Sequence, residues 1–148
     1  MSLEKIAYTA HAVANGGRDG ASKTEQDGGN RSFEVKLSPP KEMGGNGDGN
    51  NPEQLFAAGY AACFLGAMKF VSSQDSSLPK PGADAKVHSS VGIGPRTDKG
   101  GFGLAVELKI EVPGADKAQV EALMNKAHVV CPYSNSVKGN VDVKLSVV

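Results

Sequence analysis

The chain has 148 residues, 39% of them hydrophobic, with 19 Gly, 8 Pro, no Trp, and 16 Lys plus Arg against 16 Asp plus Glu. Length predicts one domain over residues 1–148, and zero net charge with 5% aromatics disfavours nucleic acid as a partner, since neither a basic patch nor a stacking platform is available. No run approaches the roughly 20 apolar residues of a membrane span and no apolar signal core follows the first lysine, so no membrane partner and a cytoplasmic location are expected; two cysteines there argue for reactivity rather than a disulfide framework.

In chain order, Ile6 to Val13 and Ser32 to Leu37 carry short alternating runs and read as strands of a half-buried antiparallel sheet. Asn15 to Gly20 and Asp27 to Asn30 have the Gly/Asn/Asp composition of tight turns, which puts Arg18 on a turn. Lys41 to Asn51, with four glycines, reads as a mobile or functional loop. It lacks the Gly-Lys-Ser/Thr ending of a phosphate loop and the glycine and glutamate positions of a calcium loop.

Asn51 as N-cap, Pro52 at the first helical position and Gln54 three residues after the cap predict a helix start. Its body, Leu55 to Val71, is apolar almost all round, interrupted by Gly59, Gly66 and Lys69, and such a helix must be buried on every side. A half-polar sheet covers only one side, so burial predicts a homodimer in which two central helices pack together. The Ser/Pro-rich segment Ser72 to Ala83 ends the helix. Ala85 to Ile93 and Phe102 to Val112 alternate at period two and predict an antiparallel pair, joined through turns at Gly94-Pro95 and Lys99 to Gly101. Asp116 with Gln119 caps a second helix whose Val120, Leu123, Met124, Ala127 and Val130 share a face, and Pro132 places Cys131 in its last turn or exit. Val141 to Val147 closes the chain as a strand.

Cys63 and Cys131 each suit a core as small hydrophobes. As a pair they suit a redox site, which needs one thiol held as thiolate and a second within reach, about 5.5 to 6 Å between alpha carbons. Burial raises a thiol above its usual pKa of about 8.5, so a reactive Cys63 needs a cation. Lys69 points about 120° away along the same helix, while Arg18, Arg31 and Arg96 come from turns or strand ends. A desolvated arginine needs a carboxylate, and Glu53 in the first helical turn is available. Glu53 and Cys63 are about 15 Å apart along one helix at 1.5 Å per residue, so they share a site only if the central helices of two chains cross. Arg18 and Glu53 are otherwise an ordinary turn residue and a helix-start acid. His128, three residues before Cys131, invites a metal or Cys-His reading. Two cysteines and one histidine supply at most three ligands without close-spaced pairs, so no metal is expected. His11 and His88 read as surface or edge residues on strands.

Asn51-Pro52-Glu53-Gln54-Leu55-Phe56-Ala57-Ala58-Gly59-Tyr60-Ala61-Ala62-Cys63-Phe64, with Cys131-Pro132-Tyr133-Ser134-Asn135 and Gly16-Gly17-Arg18-Asp19-Gly20, closely resembles the organic hydroperoxide resistance proteins, the Ohr branch of the OsmC/Ohr superfamily of thiol peroxidases. The resemblance implies an α+β, OsmC-like fold with antiparallel sheets wrapped around long central helices in an intertwined homodimer. It implies that Cys63, as thiolate, attacks an organic hydroperoxide and becomes sulfenic acid, and that Cys131 condenses with it to a disulfide. Arg18 would stabilise the thiolate and polarise the peroxide, with Glu53 orienting Arg18. No metal, haem or flavin cofactor is implied, and the disulfide would be reduced by a dithiol partner, dihydrolipoyl groups on a lipoylated protein. Phe64, Met68, Phe102 and Tyr133 are candidates for an apolar approach that favours alkyl or fatty-acid hydroperoxides over hydrogen peroxide, and each equally suits plain packing. The loop from Gly44 to Asn51 would let the arginine-bearing segment open after oxidation. The rival readings are the OsmC branch with broader peroxide use, a thiol sensor without turnover, and a metal-binding protein using Cys63, Cys131 and His128.

Overall fold

Gly16 and Gly17 take left-handed φ of 71° and 58°, which L-residues avoid, and a Cβ on Gly20 would fall 1.8 Å from the Asn15 carbonyl oxygen. These glycines let the chain reverse between β1 (Ala12–Asn15) and β2 (Ala21–Thr24), with a 3-10 turn, Gly17–Asp19, at the tip carrying Arg18. β2 also pairs with β3 (Glu34–Lys36), giving an antiparallel sheet in the order β1-β2-β3. The computed structural model describes all residues, Met1–Val148, and the chain divides into two compact units, Met1–Pro52 and Glu53–Val148.

Within the first unit, the strand expected over Ile6 to Val13 begins only at Ala12, because β2 offers partners to Ala12 through Asn15 and to nothing earlier. β2 itself, Ala-Ser-Lys-Thr, carries no apolar alternation and gave no signal. The glycine-rich segment, which reads as a mobile or functional loop, is stapled to β3. Leu37 and Asn50 form a bridge, Asn50 N–H donates to the Lys36 carbonyl, Gly47 N–H to Pro39, and Lys36 Nζ lies 3.0 Å from Asp48 Oδ2. Gly49 permits the close approach, since a Cβ there would lie 2.9 Å from the Lys36 oxygen.

α1 (Pro52–Gln74) starts where the Asn-Pro signal placed it and runs three residues past Val71. Tyr60, Phe64, Ala67, Met68 and Val71 are buried, at helical steps of 4, 3, 1 and 3, so they form one face. They join Val106, Leu108 and Ile110 of the second sheet and Val120, Leu123 and Ala127 of the following helix in one core. Each large side chain buried there contributes about 1.5–3 kcal/mol. Another face of α1 is left open: Ala58, Ala62 and Gly66 are exposed and Phe70 is 59% exposed. By length and composition α1 is apolar enough to cross a bilayer, a possibility the sequence reading set aside; its Tyr60 face lies in the chain's own core.

β4 (Lys86–Pro95) and β5 (Phe102–Glu111) pair antiparallel from Lys86 opposite Glu111 to Pro95 opposite Phe102. Pro95 therefore ends the strand rather than making the turn. The Asp116 carboxylate accepts from Gln119 N–H and opens α2 (Lys117–Val130). Pro132 stops α2 but also starts α3 (Pro132–Val137), an element the sequence did not disclose, since proline suits a first helical position. β6 (Val143–Val147) runs parallel to β5, a departure from purely antiparallel sheets. A parallel pair requires a long crossover, and α2, Cys131 and α3 provide it.

Beyond the end of α1, Asp75 Oδ2 lies 2.6 Å from Lys126 Nζ of α2, while Asp75 Oδ1 accepts from Ser77. These bonds hold the Asp75 carboxyl down at about 2 from an ordinary 3.8. A depressed carboxyl contributes stability that is full above its unfolded pKa and lost as pH falls through its folded one. The stability gap between wild type and Asp75→Asn is therefore expected to be constant above pH 3.8 and to close towards pH 2. Urea midpoints measured across that range check it, and a gap independent of pH would contradict it.

Candidate active site

Along α1, Phe56, Gly59, Tyr60, Cys63 and Ala67 follow one another at steps of three, one, three and four and form one strip. Cys131 sits at the junction of α2 and α3, its N–H bonded to the Ala127 carbonyl at 2.9 Å and its carbonyl accepting from Asn135 N–H at 3.0 Å. The junction is further tied by Asn135 Nδ2, which donates to the Val129 carbonyl. These constraints bring Cys131 Sγ to 3.8 Å from Cys63 Sγ. Both are free thiols; a disulfide would require closing that gap to about 2.05 Å. Cys131 is fully buried and Cys63 partly so.

Burial is the largest influence on Cys63 and pushes its thiol up, opposed by a hydrogen bond from Tyr133 N–H and reinforced by neighbouring Cys131. Around the sulfurs the Tyr133 ring stands 5.6 Å from Tyr60 and 5.7 Å from Phe56, centroid to centroid. Gly59 makes room for it: a Cβ there would lie 2.8 Å from Tyr133 Oη. Tyr60 Oη meets Ser134 Oγ at 2.8 Å, and Ser134 Oγ meets His128 Nδ1 at 3.0 Å. Burial raises the Tyr60 phenol, and burial followed by the Lys138 charge lowers the His128 imidazole.

The structure thus brings Cys63 and Cys131 together. Phe64 and Met68 are fully buried beside them in the core, and Tyr133 is half-buried at the site. Phe102 is placed elsewhere in the chain: it opens β5 at the hairpin end, 72% exposed, in a cleft with Ile93, Arg96 and Asn140. Arg18 belongs to the first unit and Glu53 to the first turn of α1; both are partly buried and neither side chain stands free. His128, considered above as a metal or thiol partner, pairs its Nδ1 with Ser134 Oγ. His88 pairs with Glu111 on the exposed face of the β4–β5 pair, while His11 precedes β1 rather than lying on it, and with Glu25 and Asp27 offers ligand atoms within 4.8 Å of one another on the surface. Phe56, Tyr60 and Ser134 were missed from sequence. Counting three, four and seven residues back from Cys63 finds Tyr60, Gly59 and Phe56, so the signal was present as helical spacing; Ser134 gave none.

A family model described as OsmC-like protein matches residues 45–146, which defines the class. An organic hydroperoxide resistance protein from Xanthomonas axonopodis pv. citri is 56% identical over 146 residues, 98% of this chain and 97% of that protein, and organic hydroperoxide resistance protein OhrB from Bacillus subtilis is 38% identical over 93% and 96%. Among solved structures, a putative organic hydroperoxide resistance protein from Vibrio cholerae, with captopril bound in one of its active sites, superposes with a TM-score of 0.86 at 42% identity over 99% of this chain and 95% of that one. The Bacillus subtilis OhrB structure does so with 0.83 at 34%, over 97% and 100%. The chain belongs to the OsmC-like family and, within it, to the organic hydroperoxide resistance proteins.

Proposed function

We propose that this protein is a cysteine-based peroxidase that reduces alkyl or fatty-acid hydroperoxides to alcohols in antioxidant defence. The observation that carries the reading is the 3.8 Å approach of Cys63 and Cys131 in a chain 56% identical to an organic hydroperoxide resistance protein. Cys63 thiolate attacks one peroxide oxygen, the O–O bond breaks, and the alkoxide leaves as alcohol once protonated; Cys63 becomes sulfenic acid. Cys131 then displaces the sulfenic hydroxyl as water and the pair becomes a disulfide. A dithiol, a lipoylated protein in the cell, takes the disulfide back to two thiols while becoming a disulfide itself.

Arg18 supplies the cation that the buried thiol needs, and Glu53 orients it. Phe56, Phe64, Met68 and Tyr133 form the apolar wall, and Phe102, at the β4–β5 hairpin end, lies outside it. The uncovered apolar face of α1 supports a homodimer in which both units act as one OsmC/Ohr-like domain. The cycle uses no metal, haem or flavin, and takes place in the cytoplasm.

Purified protein with dihydrolipoamide is expected to consume cumene hydroperoxide catalytically and at least about 10-fold faster than hydrogen peroxide, on the strength of the apolar area a bulky peroxide buries. Oxidation that stops after one equivalent per chain would show a sensor rather than an enzyme. Equal rates with both peroxides would favour the broader OsmC reading.

A further inference from the structure

Tyr60 lies one helical turn before Cys63, and Ser134 lies three residues after Cys131, so the Tyr60–Ser134 hydrogen bond joins the two thiol-bearing elements beside the sulfur pair. Tyr60 is fully buried and Ser134 is 1% exposed, so neither hydroxyl has water as an alternative partner. His128, one turn before Cys131 on α2, meets Ser134 Oγ through Nδ1 at 3.0 Å and lies tilted against Phe64 with ring centroids 6.4 Å apart. Three side chains from α1, α2 and α3 thereby enclose the junction that presents Cys131 Sγ and the Tyr133 N–H to Cys63. The catalytic cycle as described above has no use for them, and a buried polar chain is a costly way to fill a core unless its geometry matters.

We propose that Tyr60, Ser134 and His128 are positioning residues that fix Cys131 against Cys63 so that disulfide closure outruns a second oxidation. The inference rests on the peroxidase reading. Cys63 sulfenic acid has two fates. In one, Cys131 thiol attacks the sulfenic sulfur, the S–S bond forms, and the hydroxyl leaves with the thiol proton as water. In the other, a second hydroperoxide molecule transfers an oxygen to the sulfenic sulfur, which becomes sulfinic acid, and a second alcohol is released. The first fate is unimolecular and depends on how tightly the sulfur is held in attack geometry; the second is bimolecular and scales with peroxide concentration.

The test is mass analysis of Tyr60→Phe, Ser134→Ala and His128→Gln proteins after a brief pulse of excess cumene hydroperoxide without reductant, at a temperature well below each protein's Tm. The quantity read is the ratio of sulfinic acid to disulfide at Cys63. Tyr60→Phe keeps the ring and removes only the hydroxyl, and it is expected to raise that ratio about 5- to 10-fold, with Ser134→Ala at least as large and His128→Gln smaller. A merely structural role lowers Tm and leaves the ratio where wild type has it. Wild-type ratios in both Tyr60→Phe and Ser134→Ala overturn the inference while leaving the peroxidase reading intact. Wild-type protein that forms neither product overturns the peroxidase reading and the inference together.

Discussion

A Cys63→Ser protein is expected to lose organic hydroperoxide reduction by at least about 1,000-fold, because a hydroxyl at that position cannot ionise near neutral pH and the remaining thiol, Cys131, is fully buried. Cys131→Ser is expected to behave differently. Its Cys63 still reacts once, but with no second sulfur 3.8 Å away the sulfenic acid persists and climbs to sulfinic and sulfonic acid. Mass analysis after several equivalents of peroxide separates the two: little added oxygen in the first variant, one to three oxygens on Cys63 in the second. Turnover by Cys63→Ser within about tenfold of wild type would remove the nucleophile from its assigned place.

Arg18→Ala is expected to slow peroxide reduction by about 30- to 100-fold at pH 7, and the size follows from opposing effects. The groups of its own unit push Cys63 above the ordinary value of 9.0, where a thiol is about 1% thiolate or less at pH 7. A guanidinium brought beside it would lower the pKa and raise the thiolate fraction, while the intrinsic nucleophilicity of the sulfur would fall by roughly half as much on a logarithmic scale. Loss of the cation's pull on the peroxide adds to what remains. The sign of the pH dependence separates this from a folding defect. Wild-type rate levels off above its lowered thiol pKa, whereas the variant continues to gain up to and beyond pH 9, so the deficit shrinks as pH rises. Arg18→Lys keeps the charge without the planar fork and is expected to recover part of the rate. A deficit that is the same at every pH would leave Arg18 without a role in ionising the thiol.

Much of the second unit was legible because its signals are local. The period-two run from Phe102 to Val112, the Asn-Pro start of α1 and the Asp116–Gln119 cap each correspond to an observed element. α3 was hidden because one proline serves both as a stop for α2 and as a start for the next helix. The parallel pairing of β6 was hidden because alternation states which side chains face inward but not the direction of the neighbour. In the first unit, β1 and β2 are held by turn glycines rather than by apolar pattern, so β1 begins later than its alternation suggested and β2 gave no signal. At the site the two cysteines were conspicuous as residue types. What sequence did not disclose was their surroundings: Ser134, whose bonds to Tyr60 and His128 span 74 and 6 positions, and the Tyr133 main-chain N–H, which any residue but proline would have supplied.

The route from β5 to β6 passes through α2, Cys131 and α3, so the second sulfur rides on a span whose two ends are both laced into the same sheet. Such a span bends locally but does not swing away. Any chemistry between the two sulfurs therefore begins and ends with the polypeptide in nearly one arrangement, and the molecule resets after each event without a refolding step to wait for.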